Sequence, residues 1–199
     1  MKNILLIVDP QNDFITGTLP VAGAEEKMRK LAEYIKEKGH AYDRICITFD
    51  SHPSNHCSFA DFGGIWPYHC ITETDGWNLP DYLEEVLEQY YYYLKGTSHN
   101  KEEYSIFDNE KDGAKLRRDI LDLVRSNDEV YIDVCGIAGD YCVLETLKGL
   151  RGIIGNDYIS VLSEFVASID GGEKLNAFLN ENGINNIVDS SLNLEKYVY

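Results

Sequence analysis

The chain has 199 residues, a formal net charge of −16 at pH 7 and a hydrophobic fraction of 44%. That length suits one compact domain spanning residues 1–199, and the apolar content is ordinary for a globular protein, so disorder is not expected. The acidity excludes nucleic acid as an expected partner, because counterion displacement needs clustered Lys and Arg. No apolar stretch is long enough to span a bilayer, so no membrane partner is expected.

The first predicted strand, Ile4 to Val8, is a continuous apolar run of the kind buried on both faces of a parallel sheet. It follows Met1 closely and reaches Asp9 at once, which does not fit a secretory leader. Ala24 to Lys38 has helical spacing, with Met28, Leu31, Ala32 and Ile35 on one face and Gly39 as the stop. Arg44 to Phe49 reads as the second strand. Ser51 to about Leu79 is a long irregular segment rich in Pro, Gly, His and aromatics, and loops of that length are functional or disordered. Its histidines and tryptophans favour function. A helix over Asp81 to Glu88 and a strand over Tyr90 to Leu94 follow, then an irregular stretch from Gly96 to Gly113. Lys115 to Arg125 reads as helix, Glu129 to Val134 as strand, Asp140 to Leu150 as helix and Tyr158 to Leu162 as strand. Gly172 to Asn182 is a last helix and Asn186 to Val188 a last strand. This alternation predicts an α/β fold, a Rossmann-like three-layer sandwich with a mainly parallel sheet and helices on both faces.

Ligands of such sheets bind outside the carboxyl ends of the strands. Asp9, Asp50, Lys95 and, after a small-residue turn, Cys142 all fall there. The five cysteines are odd in number and contain no C-x-x-C pair, so a disulfide framework is not expected and a reducing, cytoplasmic location is. Cys46 and Cys135 lie inside strand patterns as core residues. Cys142 opens a predicted helix, where the dipole and free N–H groups stabilise a thiolate and can receive an oxyanion. Asp9 can take the thiol proton, and Lys95 can stabilise thiolate or oxyanion. Asp50 and His52 are two residues apart, so in extended chain their side chains point the same way. With His56 and His69 further along, nitrogen and oxygen donors with open water positions fit a catalytic transition-metal site.

Five motifs, in order over almost the whole chain, carry a resemblance: IVDPQNDF (7–14), TFDSHPSNHCSF (48–59), WPYHC (66–70), LKG with EEYSIF (94–96 and 102–107) and VCGIAGDYCV (134–143). They resemble the nicotinamidase/pyrazinamidase branch of the isochorismatase-like cysteine hydrolases. The resemblance implies a single isochorismatase-like hydrolase domain that converts nicotinamide to nicotinate and ammonia through a Cys thioester, in NAD salvage. It implies Asp9, Lys95 and Cys142 as catalytic triad, and Asp50, His52 and His69 as ligands of one divalent transition metal, zinc first and Mn or Fe next. His56 is a candidate additional ligand or a group behind the ligands. Phe14, Trp66 and Tyr104 would line the substrate pocket. Ala138 and Cys142 would supply the oxyanion-hole N–H groups, with a cis peptide at Ile137–Ala138. The same triad would serve a sister amidase acting on another small amide or ureido compound, but the Asp50/His52/His69 set favours a ring-nitrogen substrate. Two positions depart from the family pattern: Gly139 stands where Thr is usual, and Ser51 where Trp is. The C-terminal NLEKYVY is a candidate for packing against a second copy in a homo-oligomer.

Overall fold

In the computed structural model of the protein, residues 1–126 and 129–189 are described. Six parallel strands form one sheet in the order β3-β2-β1-β4-β5-β6. They are β1 (Lys2–Val8), β2 (Arg44–Asp50), β3 (Tyr91–Lys95), β4 (Val130–Ile137), β5 (Ile159–Ala167) and β6 (Asn185–Ile187). The helices are α1 (Asn12–Ile15), α2 (Ala24–Lys38), α3 (Asp81–Glu84), α4 (Asp112–Arg125), α5 (Leu144–Ile154) and α6 (Glu173–Asn182). Ile4 through Val8 are buried without alternation, so both faces of the central strand are covered, as a continuous apolar run requires. Helix α2 has the predicted bounds; its buried stripe of Met28, Leu31, Ala32 and Ile35 packs towards β5.

Strand order reverses between β1 and β4, and this switch point fixes where a crevice opens. There the two strands approach closely: Gly136 has φ +121°, and a Cβ on it would sit 2.1 Å from Val8 O. The register pairs Asp50 with Lys95, the last residues of β2 and β3. Their side chains therefore leave the sheet together.

Several elements differ from the sequence expectation. One-turn α1 is too short to show a 3.6-residue period. Helix α3 ends at Glu84 and not Glu88. Residues Gly139–Val143 form a π-helical turn ahead of α5, with Val143 N–H donating to Ala138 O at 3.0 Å. Strand β5 runs on to Ala167 through an irregularity opposite Val134 and Gly136. Polar Ser163 and Glu164 hide that extension from an apolar pattern. In the tyrosine run, Tyr91 and Tyr92 face outward on the edge strand while Tyr93 is buried. The cysteines are all free thiols, and Cys46 and Cys135 are core residues. NLEKYVY (193–199) lies outside the described residues. Among the described residues no helix is long and apolar enough to cross a membrane.

Candidate active site

Asp9 follows β1 with φ +46°, a left-handed conformation rare for a non-glycine residue, and is fully buried. Thr48 Oγ1 donates to its Oδ1 at 2.7 Å, and Lys95 Nζ lies 2.8 Å from its Oδ2. Lys95 is also fully buried and reaches Asp50 Oδ1 at 3.0 Å and Cys142 Sγ at 3.4 Å. The structure thus gathers the three residues singled out as a triad around one ammonium. The Ile137–Ala138 peptide is cis, as expected.

The two carboxylates are driven apart. Burial raises the pKa of Asp9, only partly offset by Lys95. For Asp50, burial is outweighed by His52 and Lys95, which hold it well below the ordinary carboxylate range. Asp9 is the carboxylate suited to carrying a proton, and Asp50 the one that stays ionised. Burial, reinforced by Asp9 and Asp50 against the pull of Lys95, pushes the Cys142 thiol well above its usual value. Cys142 also sits within the π-helical turn, two residues ahead of α5 proper. Burial thus favours the protonated thiol, while Lys95 pulls towards the thiolate.

The other half of the site is Asp50, His52 and His69, whose ligand atoms lie within 4.8 Å of one another. His52 Nδ1 is bonded to Gly96 O at 3.0 Å and His69 Nδ1 to Pro67 O at 2.8 Å. With each Nδ1 held by a carbonyl, each ring presents its Nε2 to the site, and the tautomer protonated at Nδ1 would offer a lone pair there to a cation. Both point at Asp50 Oδ2, at 3.0 and 3.6 Å. His52 Nε2 is buried and makes no hydrogen bond even at that distance. Two oriented imidazoles, a carboxylate kept ionised and an orphaned buried nitrogen fit a divalent cation. Gly96, at φ +65°, makes the closeness possible, since a Cβ there would sit 2.5 Å from the His52 ring. His56 stacks on His52 with ring centroids 3.9 Å apart. Its Nδ1 meets Ser58 Oγ at 2.7 Å and its Nε2 meets Lys101 O at 3.0 Å. Both ring nitrogens are thereby engaged, so His56 supports His52 in this geometry.

The pocket above these groups holds about 390 Å³ including its open mouth and is lined largely by apolar side chains. Phe14, Trp66 and Tyr104 all face it, as expected, and Trp66 Nε1 donates to Tyr104 OH at 3.1 Å. Tyr141 and Glu102 also line it and were missed by sequence reasoning. Tyr141 precedes the thiol and stands edge-on to Trp66 at 5.3 Å. Glu102 forms a second acidic-imidazole group with His52 and His56. Its signal was the paired Glu of EEYSIF: Glu103 holds the loop through Gly96 N–H and Asn109 Nδ2, which leaves its neighbour for the pocket.

No protein-family model matches the chain. Among curated proteins it is 31% identical to the nicotinamidase of Saccharomyces cerevisiae, over 71% of this chain and 78% of that one. It is 33% identical to the nicotinamidase/pyrazinamidase of Mycobacterium tuberculosis, over 72% of this chain and 76% of that one. Among solved structures it matches the pyrazinamidase of Pyrococcus horikoshii in complex with zinc, at 30% identity and TM-score 0.76, covering 94% of this chain and 99% of the other. It also matches PnC1 from L. infantum in complex with nicotinate, at 27% identity and TM-score 0.78, covering 96% and 93%.

Proposed function

The chain belongs to the nicotinamidase/pyrazinamidase branch of the isochorismatase-like cysteine hydrolases, and from that membership we propose that it hydrolyses nicotinamide to nicotinate and ammonia with Cys142 as nucleophile. The observation that carries the assignment is Lys95 Nζ, which touches Asp9, Asp50 and Cys142 at once beneath an aromatic pocket.

The pyridine ring lies between Phe14 and Trp66, its carboxamide carbon towards Cys142 Sγ. Asp9 takes the thiol proton as Sγ attacks; a thiolate formed in that step is held by the Lys95 ammonium. The oxyanion that develops on the carboxamide is received by the Ala138 and Cys142 N–H groups, and one such donor is typically worth about 2.7–4 kcal/mol. Asp9 then hands its proton to the departing ammonia, and as a carboxylate again it activates the water that opens the thioester. Asp50, His52 and His69 would hold one divalent ion, and we assign zinc from the two imidazoles and one carboxylate. When bound, the ion supplies a Lewis-acidic anchor for the ring nitrogen. The location we assign is the cytoplasm, and the pathway is NAD salvage.

The test is ammonia release from nicotinamide by wild type, Cys142→Ala and chelator-treated protein. Release by untreated wild type alone is expected. Turnover by Cys142→Ala at the wild-type rate would remove the nucleophile, and a wild type inert with zinc present would remove the substrate.

A further inference from the structure

We infer that Asp13 is a positioning residue for the His69 arm of the site, fixing that imidazole against the Phe14 wall without touching ion or substrate. The inference rests on the proposed reading of Asp50, His52 and His69 as ligands. Asp13 lies on α1 beside Phe14 and is 6% exposed. Its Oδ2 accepts the Cys70 N–H at 2.7 Å, and its Oδ1 accepts the Thr18 N–H at 3.0 Å. Its own N–H donates to Gly76 O at 2.9 Å. Cys70 is the residue after His69, and its carbonyl accepts the His52 N–H at 3.0 Å. One carboxylate therefore reaches the backbones of both proposed imidazole ligands through a single residue, Cys70.

The surroundings are shaped to this group. A Cβ on Gly76 would stand 2.1 Å from Oδ2, and one on Gly17 would stand 2.4 Å from Oδ1. Both oxygens are thus enclosed by backbone that leaves no room for a longer acid. The arm has no strand to hold it: His69 and Cys70 belong to the long irregular segment, joined to the rest near here by the isolated bridge His52–Ile71. A loop ligand without a ladder needs an anchor of this kind. The same anchor holds the His69 ring against Phe14, with centroids 5.5 Å apart, and Phe14 is one wall of the substrate pocket. Asp9, Lys95 and Cys142 take their side-chain hydrogen bonds and ion pairs from Thr48, Asp50 and one another.

Wild type, Asp13→Asn, Asp13→Ala and His69→Ala, each stripped by chelator, are titrated with zinc against a chromophoric competitor. Alkylation of Cys142 in the metal-free proteins is followed in parallel by peptide mass analysis. An anchor behind a ligand typically changes affinity 10–100-fold, so Asp13→Asn is expected to bind zinc roughly that much more weakly, with KM for nicotinamide rising more than kcat falls. Cys142 alkylation should stay within about twofold of wild type, because the thiol's surroundings are untouched. Wild-type zinc affinity in Asp13→Asn alongside a weakened His69→Ala overturns the inference and leaves the ligand reading standing. Equal losses of zinc affinity and Cys142 alkylation would mark Asp13 as merely structural, which also overturns it. Wild-type affinity in His69→Ala removes the ligand reading and the inference with it. If the Asp13 variants fail to fold, Gly76→Ala displaces the contact with Asp13 in place; the same selective loss is expected, and unchanged zinc affinity overturns the inference.

Discussion

Lys95 shows how much one side chain can carry. It is fully buried, and its ammonium is the counter-charge for both Asp9 and Asp50. Removing one partner of a buried pair leaves charge uncompensated, at a cost of about 3–5 kcal/mol. Lys95→Met, close in length, should therefore lose about that much stability in urea unfolding as well as nearly all turnover. An inactive variant of wild-type stability would show that Lys95 serves catalysis alone. The two departures from the family pattern find local partners. A Cβ at Gly139 would lie 2.1 Å from Ser168 Oγ and 2.8 Å from Val166 Cγ1, so this chain fills with Ser168 the space a larger residue would need. Gly139→Thr should destabilise by about 1–3 kcal/mol through overpacking, and Ser168→Gly in the same chain should recover most of it. Additive losses in thermal melts would refute that pairing. Ser51 accepts a hydrogen bond from Trp77 Nε1 at 2.7 Å, so an indole from the long segment reaches the ribbon between Asp50 and His52. The residues proposed as triad and ligands stood out because acid, base and thiol at strand exits are unusual chemistry for buried ends, and their roles came from the family resemblance. Asp13, Glu102 and Tyr141 did not: their meaning depends on which backbone or ring each one faces, and no spacing rule encodes that.

At the level of elements, the exits of β1 and β2 are tied by one amide. Gln11 Nε2 donates to Asp50 O at 2.8 Å and to Trp77 O at 3.0 Å, while its Oε1 accepts the Asp50 N–H at 2.8 Å. Gln11→Leu strips all three bonds and leaves buried backbone groups unpaired, each costing about 1–3 kcal/mol. It should lower the melting temperature and weaken zinc binding together, through Asp50. A variant with unchanged calorimetric Tm would remove the clamp from the account. Elements with a long period or a solid apolar run, α2 and β1 above all, were readable directly, since burial of one stripe or both faces writes itself into the sequence. The π-helical turn, the one-turn α1 and the far end of β5 were not, because close packing against neighbours decides them and residue preference does not.

Across the whole molecule, buried thiols and phenols govern the alkaline limb of stability. Burial pushes Cys46 up to about 12 and raises Cys135 further. It also lifts Tyr34 to about 12 and raises Tyr42 and Tyr93. Each folded pKa lies above its unfolded value, so the native state retains protons that the unfolded chain releases. Their contributions are complete below the unfolded pKa values, 9.0 for the thiols and 10.0 for the phenols, and decline as pH rises beyond them. Each group at most adds a slope of about 1.4 kcal/mol per pH unit. Tm should therefore fall with increasing steepness from about pH 9 upward, and a level profile to pH 11 in thermal melts would contradict these shifts. A different lesson lies in the divided carboxylate of Asp50, one oxygen towards Lys95 and the other towards His52 and His69. It makes the proposed cation centre and the proposed thiol machinery share a hinge pin, so neither can be retuned alone through Asp50. An engineer who replaces Asp50 to change the proposed ion site also alters the charge balance beneath Cys142, the proposed nucleophile. The independent handle on the ion is at the histidines.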